Sequence, residues 1–445
     1  ASPPGTSPQS PPHLPASLWR HRDFVLYWVG QTVDQFGSQV SWLAVPLLAI
    51  SLLHASSFQV AALSAASSLP VLLVGLPAGA VADRVRRRPL MIVCALGCAA
   101  AMGSIPLADG VGHLTLAQLY AVVFVVGALA VAFDAAAGAV PPLLVDNDRL
   151  VDANGKLNVA RGLAELAGPS AGGVLVGVVG AARAVTVDAF SYVFSAATLA
   201  LMRLREPRRM EAGDRSSGRE TDSGRRFRDE IADGVRIVVR QPLLRTIAVA
   251  GGVTTFLLAG VSSLWLLYVI KTLHWSVRAA GLVYGLSLIG GVAGGVVARR
   301  VIERAGVGRA VIGGSLLSAP LEAVTPLAPS GPAGQWLVAA AFTVLTCAGM
   351  IAQTATTTVR QLACPLDLLG RVGATNRFLT QGLRFLGPLG AGALATWWGL
   401  RPALLLFATL TVLQAAIYAL SPFRSLRTLA DVRPGPDVAC KNSDA

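Results

Sequence analysis

Apolar residues run through this chain in blocks of about twenty, separated by short polar breaks. A block of that length spans a bilayer as one helix. Twelve blocks fall at 24–50, 57–81, 89–108, 115–139, 157–178, 184–202, 244–270, 277–298, 309–328, 335–358, 373–398 and 402–420. The pattern therefore predicts an all-α membrane protein with twelve transmembrane helices. Polar stretches at the ends and in the middle divide it into a disordered tail (1–18), a six-helix bundle (19–203), a linker (204–240), a second six-helix bundle (241–422) and a C-terminal tail (423–445). The proline-rich start lacks the apolar core of a signal peptide. Late in the linker, Phe227, Ile231, Val235 and Val238 fall on one helical face and Arg236 and Arg240 on the other, which predicts an amphipathic helix on the membrane surface.

Charge orients the spans. Only 14% of residues are charged against 53% hydrophobic, yet the net charge is +13. Membrane topology explains that excess better than nucleic-acid binding, because the arginines gather in alternate short loops. Arg84, Arg86, Arg87 and Arg88 share one loop with Asp83, and Arg203–Arg245, Arg299, Arg300, Arg304, Arg309, Arg360 and Arg371 fall on the same side. The opposite loops carry Arg183, Lys271, Arg278 and Arg401. This asymmetry places both termini and the linker in the cytoplasm of a multi-pass cell-membrane protein.

The halves repeat. GAVADR at 79–84 corresponds to GVVARR at 295–300, and GPSAGG at 168–173 to GPLGAG at 387–392, at offsets of 216 and 219. Two pseudo-symmetric bundles with a cavity between them follow from such parallel repeats. In the second copy Arg299 stands in the place of Asp83.

The loop Gly79, Val81, Ala82, Asp83, Arg84, Arg86, Arg87, Arg88, Leu90 resembles the signature of the major facilitator superfamily, with Val81 for Leu and Arg86 for Gly as departures. The resemblance covers about residues 20 to 420. AELAGPSAGG at 164–173 is similar to the fifth-span motif of drug and proton antiporters: Gly168, Pro169, Gly172 and Gly173 match, and Ala164 replaces the leading glycine. The stretches PPLLVDNDRLVDAN and VDAFSYVFSA further resemble the macrolide and siderophore exporter branch. The likeness implies secondary export of a hydrophobic small molecule by alternating access, in exchange for protons, by a monomer. A siderophore or other metabolite exporter, an uptake permease and a non-transporting sensor on the same fold are the alternatives. It also implies a gating loop (Gly79, Asp83, Arg84, Arg87, Arg88) in which Asp83 docks near the start of the eleventh span, around Gly370–Thr375, where a helix N-terminus favours an anion.

Coupling calls for a membrane-embedded carboxylate. Asp34 lies ten residues into the first span, roughly 15 Å deep, with Gln31, Gln35 and Ser38 on nearby turns. By the resemblance it would face substrate. Asp134, near the end of the fourth span, and Glu165, one turn from Arg161 inside the antiporter-like motif, are the other proton-coupling candidates. An Arg161–Glu165 ion pair is the structural alternative for the latter. Asp188 reads as a helix-start residue, and Glu322 as lying near an outer end. The arginine common in the family's fourth span is absent from VVFVVGALAVAF. Gln31, Gln35, Trp42, Trp265, Tyr268 and Gln353 are candidates for a substrate cavity, with interfacial anchoring the alternative for Trp265 and Tyr268.

Other chemistry is not called for. No GxxxxGK[ST] loop is present, and GGVAGG at 290–295 reads as helix packing inside the eighth span. Cys94 and Cys98 share a helix face without further ligands, so neither a metal, a cofactor nor a disulfide framework is expected, and no enzymatic activity.

Overall fold

The computed structural model describes residues 18–138, 140–145, 149–203, 236–364, 380–428 and 431–432. Those residues form helices and connecting turns, with no strand among them. The first half contains α1 (Arg22–Ser51), α2 (Ser57–Arg84), α3 (Arg87–Gly110), α4 (Leu116–Ala137), the short α5 (Pro141–Leu144), α6 (Leu150–Val179) and α7 (Ala181–Leu201). The second contains α8 (Pro242–Lys271), α9 (Val277–Ala305), α10 (Val307–Leu316), α11 (Ser318–Leu327), α12 (Pro332–Ala363), α13 (Leu386–Trp398), α14 (Leu400–Leu410) and α15 (Val412–Ala419). Ten described segments are long and apolar enough to cross a membrane. With α1 and the segment ending in α13, this gives the twelve-helix, two-bundle arrangement expected.

Local chemistry sets the ends. Ser56 and Gln59 form a reciprocal capping box at α2. Thr115 and Ser276 cap α4 and α9 with their hydroxyls, and Pro242 and Pro332 occupy first-turn positions. The ninth and twelfth spans are each broken in two. At the breaks Ser318 and Thr411 donate to the carbonyls three residues back, Ser315 and Ala408, which satisfies groups that a continuous helix would have paired itself. Of the linker, Arg236–Arg240 is helical. The remainder of the amphipathic helix expected there lies outside the described residues.

A repeat not noticed in the sequence appears at the end of the molecule opposite the arginine-rich loops. His54 and His274 both take left-handed backbone conformations, at φ 48° and 57°. In each loop the amide after the histidine donates six residues back, Ala55 to Ala49 and Trp275 to Val269. The next residue, Ser56 or Ser276, then caps the following helix.

The core shows how the bundles meet. One apolar cluster at the far end unites both halves, bringing Leu43, Leu47 and Val185 together with Leu264, Leu267 and Leu404. Toward the arginine-rich end the core splits. Phe24, Met91 and Leu199 belong to a cluster of the first half, and Leu244, Val311 and Phe423 to one of the second.

The cross-half seams are close helix crossings. A Cβ on Gly281 of α9 would lie 2.6 Å from the Pro169 carbonyl and 3.0 Å from the Gly173 Cα of α6. Gly392 of α13 meets Ala61 and Phe58 of α2 in the equivalent place. Lys271 donates to the Ala55 carbonyl (3.4 Å), Arg278 to that of Gly177 (3.4 Å) and Ser170 to that of Gly281 (3.3 Å), all near the same end. Closed there and split at the other, the fold leaves a space that opens toward the arginines.

Candidate functional site

A cavity of about 640 Å³ occupies that space, and its walls come mostly from the second half. Its far end is aromatic. Trp42 of α1 stacks against Tyr284 of α9 (4.7 Å between centroids), and Trp265 of α8 packs on both Tyr284 (5.9 Å) and Phe342 of α12 (5.9 Å). Toward the mouth the lining becomes polar, with Gln353, Arg360, Gln381, Arg384 and Gln414.

Of the residues expected to line a substrate cavity, Trp42, Trp265 and Gln353 do so, and Gln31, Gln35 and Tyr268 are not on its walls. Tyr268 is buried at 2% exposure and donates to the Pro326 carbonyl at 3.1 Å, tying α8 to α11. Neither Trp265 nor Tyr268 is an interfacial anchor. That role fits Trp336, Trp397 and Trp398, which are exposed near the far end.

Two cavity residues were undervalued or missed. Glu322 is 6% exposed and lines the cavity, and among the described residues it has no hydrogen-bond or ionic partner. Its position near a helix end suggested water, but it lies seven residues, two helical turns, beyond the cavity-lining Ser315 and so shares that inward face. Arg384 also lines the cavity. Its place eleven residues inside the expected span 373–398 was the signal that could have found it.

Asp34 lies elsewhere. It faces the seam between α1 and α7 and is not on the cavity wall. The seam is polar because both helices carry small and hydroxylic residues at helical spacing: Gly30, Asp34, Gly37, Ser38 and Ser41 on α1, and Asp188, Ser191, Tyr192, Ser195 and Thr198 on α7. The glycines let the helices close. A Cβ on Gly37 would strike Ser191 Oγ at 2.1 Å and Asp188 Oδ1 at 2.8 Å, and one on Gly30 would strike Thr198 Oγ1 at 2.2 Å. Asp188 is fully buried, two turns inside α7 and not at its start, because α7 begins at Ala181, three residues before the expected span. Its Oδ1 accepts from Ser191 Oγ at 3.2 Å, and the Ser38 and Tyr192 hydroxyls lie 3.3 Å apart. Asp34 Oδ1 and Ser195 Oγ are buried without a hydrogen-bond partner among the described residues, and Ser41 sits within hydrogen-bonding reach of the Asp188 carboxylate. The seam thus joins two buried carboxyl groups and a set of hydroxyls, with one Asp34 oxygen left open.

The remaining candidates separate. Asp134 is exposed near the end of α4, within electrostatic reach of Asp34 and Tyr27. Glu165 and Arg161 are both exposed on α6 and form no ion pair with each other. Glu165 is instead within electrostatic reach of Tyr284 on the other half. In the antiporter-like motif Gly168 and Gly172 pack against Gln39 and Val40 of α1, and Gly173 against α9, with Pro169 contributing its carbonyl to the crossing.

The surroundings of Gly79, the side chains of Asp83 and Arg84, and residues 365–379 lie outside what is described, and the expected Asp83 contact around Gly370–Thr375 with them. Arg88 donates through Nε to the Leu199 carbonyl (2.8 Å) and also to the Ala200 carbonyl. It thereby neutralises the negative end of α7. Arg87 opens α3. Among the described residues no cluster of His, Cys, Asp and Glu is arranged to hold a metal.

A curated Bacillus subtilis (strain 168) protein, the uncharacterized MFS-type transporter YfiS, is 24% identical over 395 residues, covering 87% of this chain and 90% of its own. Among solved structures, a bacterial homologue of the human lysosomal transporter Spinster, inward-facing and unoccupied, superposes with a TM-score of 0.72 at 15% identity, over 94% of this chain and 99% of that one. The nucleoside transporter NupG gives 0.70 at 13% identity (89% and 98% covered). A bacterial homologue of the iron transporter ferroportin, inward-facing, gives 0.69 at 16% identity (90% and 98% covered). At these identities the structural likeness speaks for the fold alone. The family model described as Major Facilitator Superfamily matches residues 27–388, and the chain belongs to that superfamily of membrane transporters.

Proposed function

We propose that this transporter is a proton-driven exporter of a hydrophobic small molecule, with Asp34 as the proton carrier. The reading is supported above all by the separation of Asp34 from the cavity. A carboxylate with one unpartnered oxygen sits in a polar seam inside the first half, while the cavity lies mostly in the second. Proton and substrate then use different routes, and one movement of the halves serves both.

The positive-inside rule makes the arginine-rich end cytoplasmic. The cavity therefore takes substrate from the cytoplasm in the conformation described. Rocking the halves about the α6/α9 and α2/α13 crossings would close that mouth and open the far end. Asp83, docking near 370–375, would hold the cytoplasmic end shut in that state. In the outward state Asp34 takes a proton through the Asp188 end of the seam as substrate leaves. On return it gives the proton up toward the cytoplasm. Each pH unit of gradient supplies about 1.4 kcal/mol per proton. Export, as against uptake, rests on the likeness of 164–173 to the antiporter motif.

Asp34→Asn should abolish pH-driven efflux from proteoliposomes of right-side-out orientation, and Asp188→Asn should slow it, with both variants folded by thermal melting. Undiminished coupled efflux in Asp34→Asn overturns the assignment.

A further inference from the structure

The aromatic end of the cavity carries an unusual set of polar groups. Glu322, at 6% exposure, has no partner among the described residues, and neither have Ser315 Oγ and Trp265 Nε1, at 3% each. All three residues line the cavity. Ser315 and Glu322 are seven residues apart, two turns along one face of the broken ninth span. Burying such groups without partners is unfavourable, and a family of them around one space is what a polar ligand would satisfy.

Helical rise places the site. Glu322 lies five residues from the end of α11, Trp265 six from the end of α8, and Tyr284 seven from the start of α9. All are thus about 8–10 Å below the far surface. The carboxylate and the rings of Trp42, Tyr284, Trp265 and Phe342 share the blind end. Tyr284 is also within electrostatic reach of Glu165 and Arg384. Arg384 lies two residues before α13, fourteen from its end, and so roughly 13 Å nearer the mouth than Glu322. The blind end therefore holds the acidic side chain and is walled by π-faces, and the basic side chains, Arg360 and Arg384, stand nearer the entrance.

We propose that this end of the cavity is a binding site for lipophilic organic cations, whose charged centre sits against Glu322 inside the aromatic wall. The carboxylate supplies the charge and the ring faces a second attraction for the same cation. Trp265 Nε1–H is free to donate to an acceptor atom elsewhere on the ligand. An anion of the same shape meets Glu322 with like charge and is rejected. The inference rests on the cavity being the substrate site and adds the charge class of its occupant.

The test uses purified full-length protein in detergent without a proton gradient, with radiolabelled tetraphenylphosphonium and tetraphenylborate as same-shape probes of opposite charge. Saturable binding of the phosphonium alone is expected. Glu322→Gln should weaken it tenfold or more, Glu322→Asp should stay within about threefold, and Arg384→Gln should tighten it several-fold. Equal phosphonium affinity in wild type and Glu322→Gln, or saturable tetraphenylborate binding, overturns the proposal. So does an Arg384→Gln variant that binds the phosphonium more weakly, a readout that survives if Glu322→Gln fails to fold. Efflux by Asp34→Asn bears only on proton coupling, so the two readings fail separately.

Discussion

Adding one methyl group at Gly173 should tilt the balance between the two ends of this transporter. A Cβ there would lie 3.0 Å from the Val277 carbonyl oxygen and 3.1 Å from Gly281 Cα, both backbone atoms of α9 that cannot rotate away. Carbon atoms rest at about 3.5–4.0 Å, so Gly173→Ala forces the helices apart by roughly 0.4–0.9 Å. Overpacking of this kind costs about 1–3 kcal/mol. The cost falls on the conformation in which α6 and α9 touch at the far end and is relieved when that end opens. With every 1.4 kcal/mol worth a factor of ten, the closed-to-open ratio should fall by roughly 5- to 150-fold. Spin labels at His113 and Ser330, both exposed in far-end loops of opposite halves, report the separation by double electron–electron resonance. Gly173→Ala should shift the distribution toward longer distances. Gly162→Ala on the same helix, where a Cβ meets nothing within 4 Å, should not. Identical distributions for Gly173→Ala and wild type would refute the crossing as a pivot.

Two further outcomes are expected. Tyr268→Phe removes the buried hydroxyl that donates to Pro326 and should destabilise the protein by about 0.5–1.5 kcal/mol, seen as a lower melting temperature with tetraphenylphosphonium affinity unchanged. Single cysteines at Gly110 and Ser216 should react with impermeant maleimide from outside and inside the cell respectively, and the reverse pattern would invert the assigned orientation.

The bundle architecture was readable because bilayer thickness fixes span length and loop arginines mark alternate ends. Helix edges were less so. The sixth span starts earlier than expected because Gly180, at φ 85°, turns the chain so tightly that almost no loop remains, and this moved Asp188 from a surface reading to a buried one. The α1/α7 seam was nonetheless present in the sequence, as hydroxyls and an acid at positions 188, 191, 192, 195 and 198. Cavity membership was not. Whether Tyr268 or Tyr284 lines the space depends on helix rotation, and whether Glu322 faces in or out depends on the register of a span interrupted at Leu317, where only Gly313, Gly314 and Pro320 give a local sign of the break. The histidine loops were legible as a third repeat, Leu-His-x-Ser at 53–56 and 273–276, but nothing in those letters shows the left-handed backbone that makes the two turns alike.

The divided core also has a consequence for hydration. An open cavity of about 640 Å³ holds on the order of twenty water molecules at roughly 30 Å³ each. Most must leave when its mouth closes and return when it reopens. Each turnover thus moves a parcel of solvent along with its cargo, and the cycle is coupled to the activity of water itself. Osmolytes excluded from the cavity would favour whichever state has the smaller wetted volume, and a bulky apolar ligand does the same from within by taking the water's place.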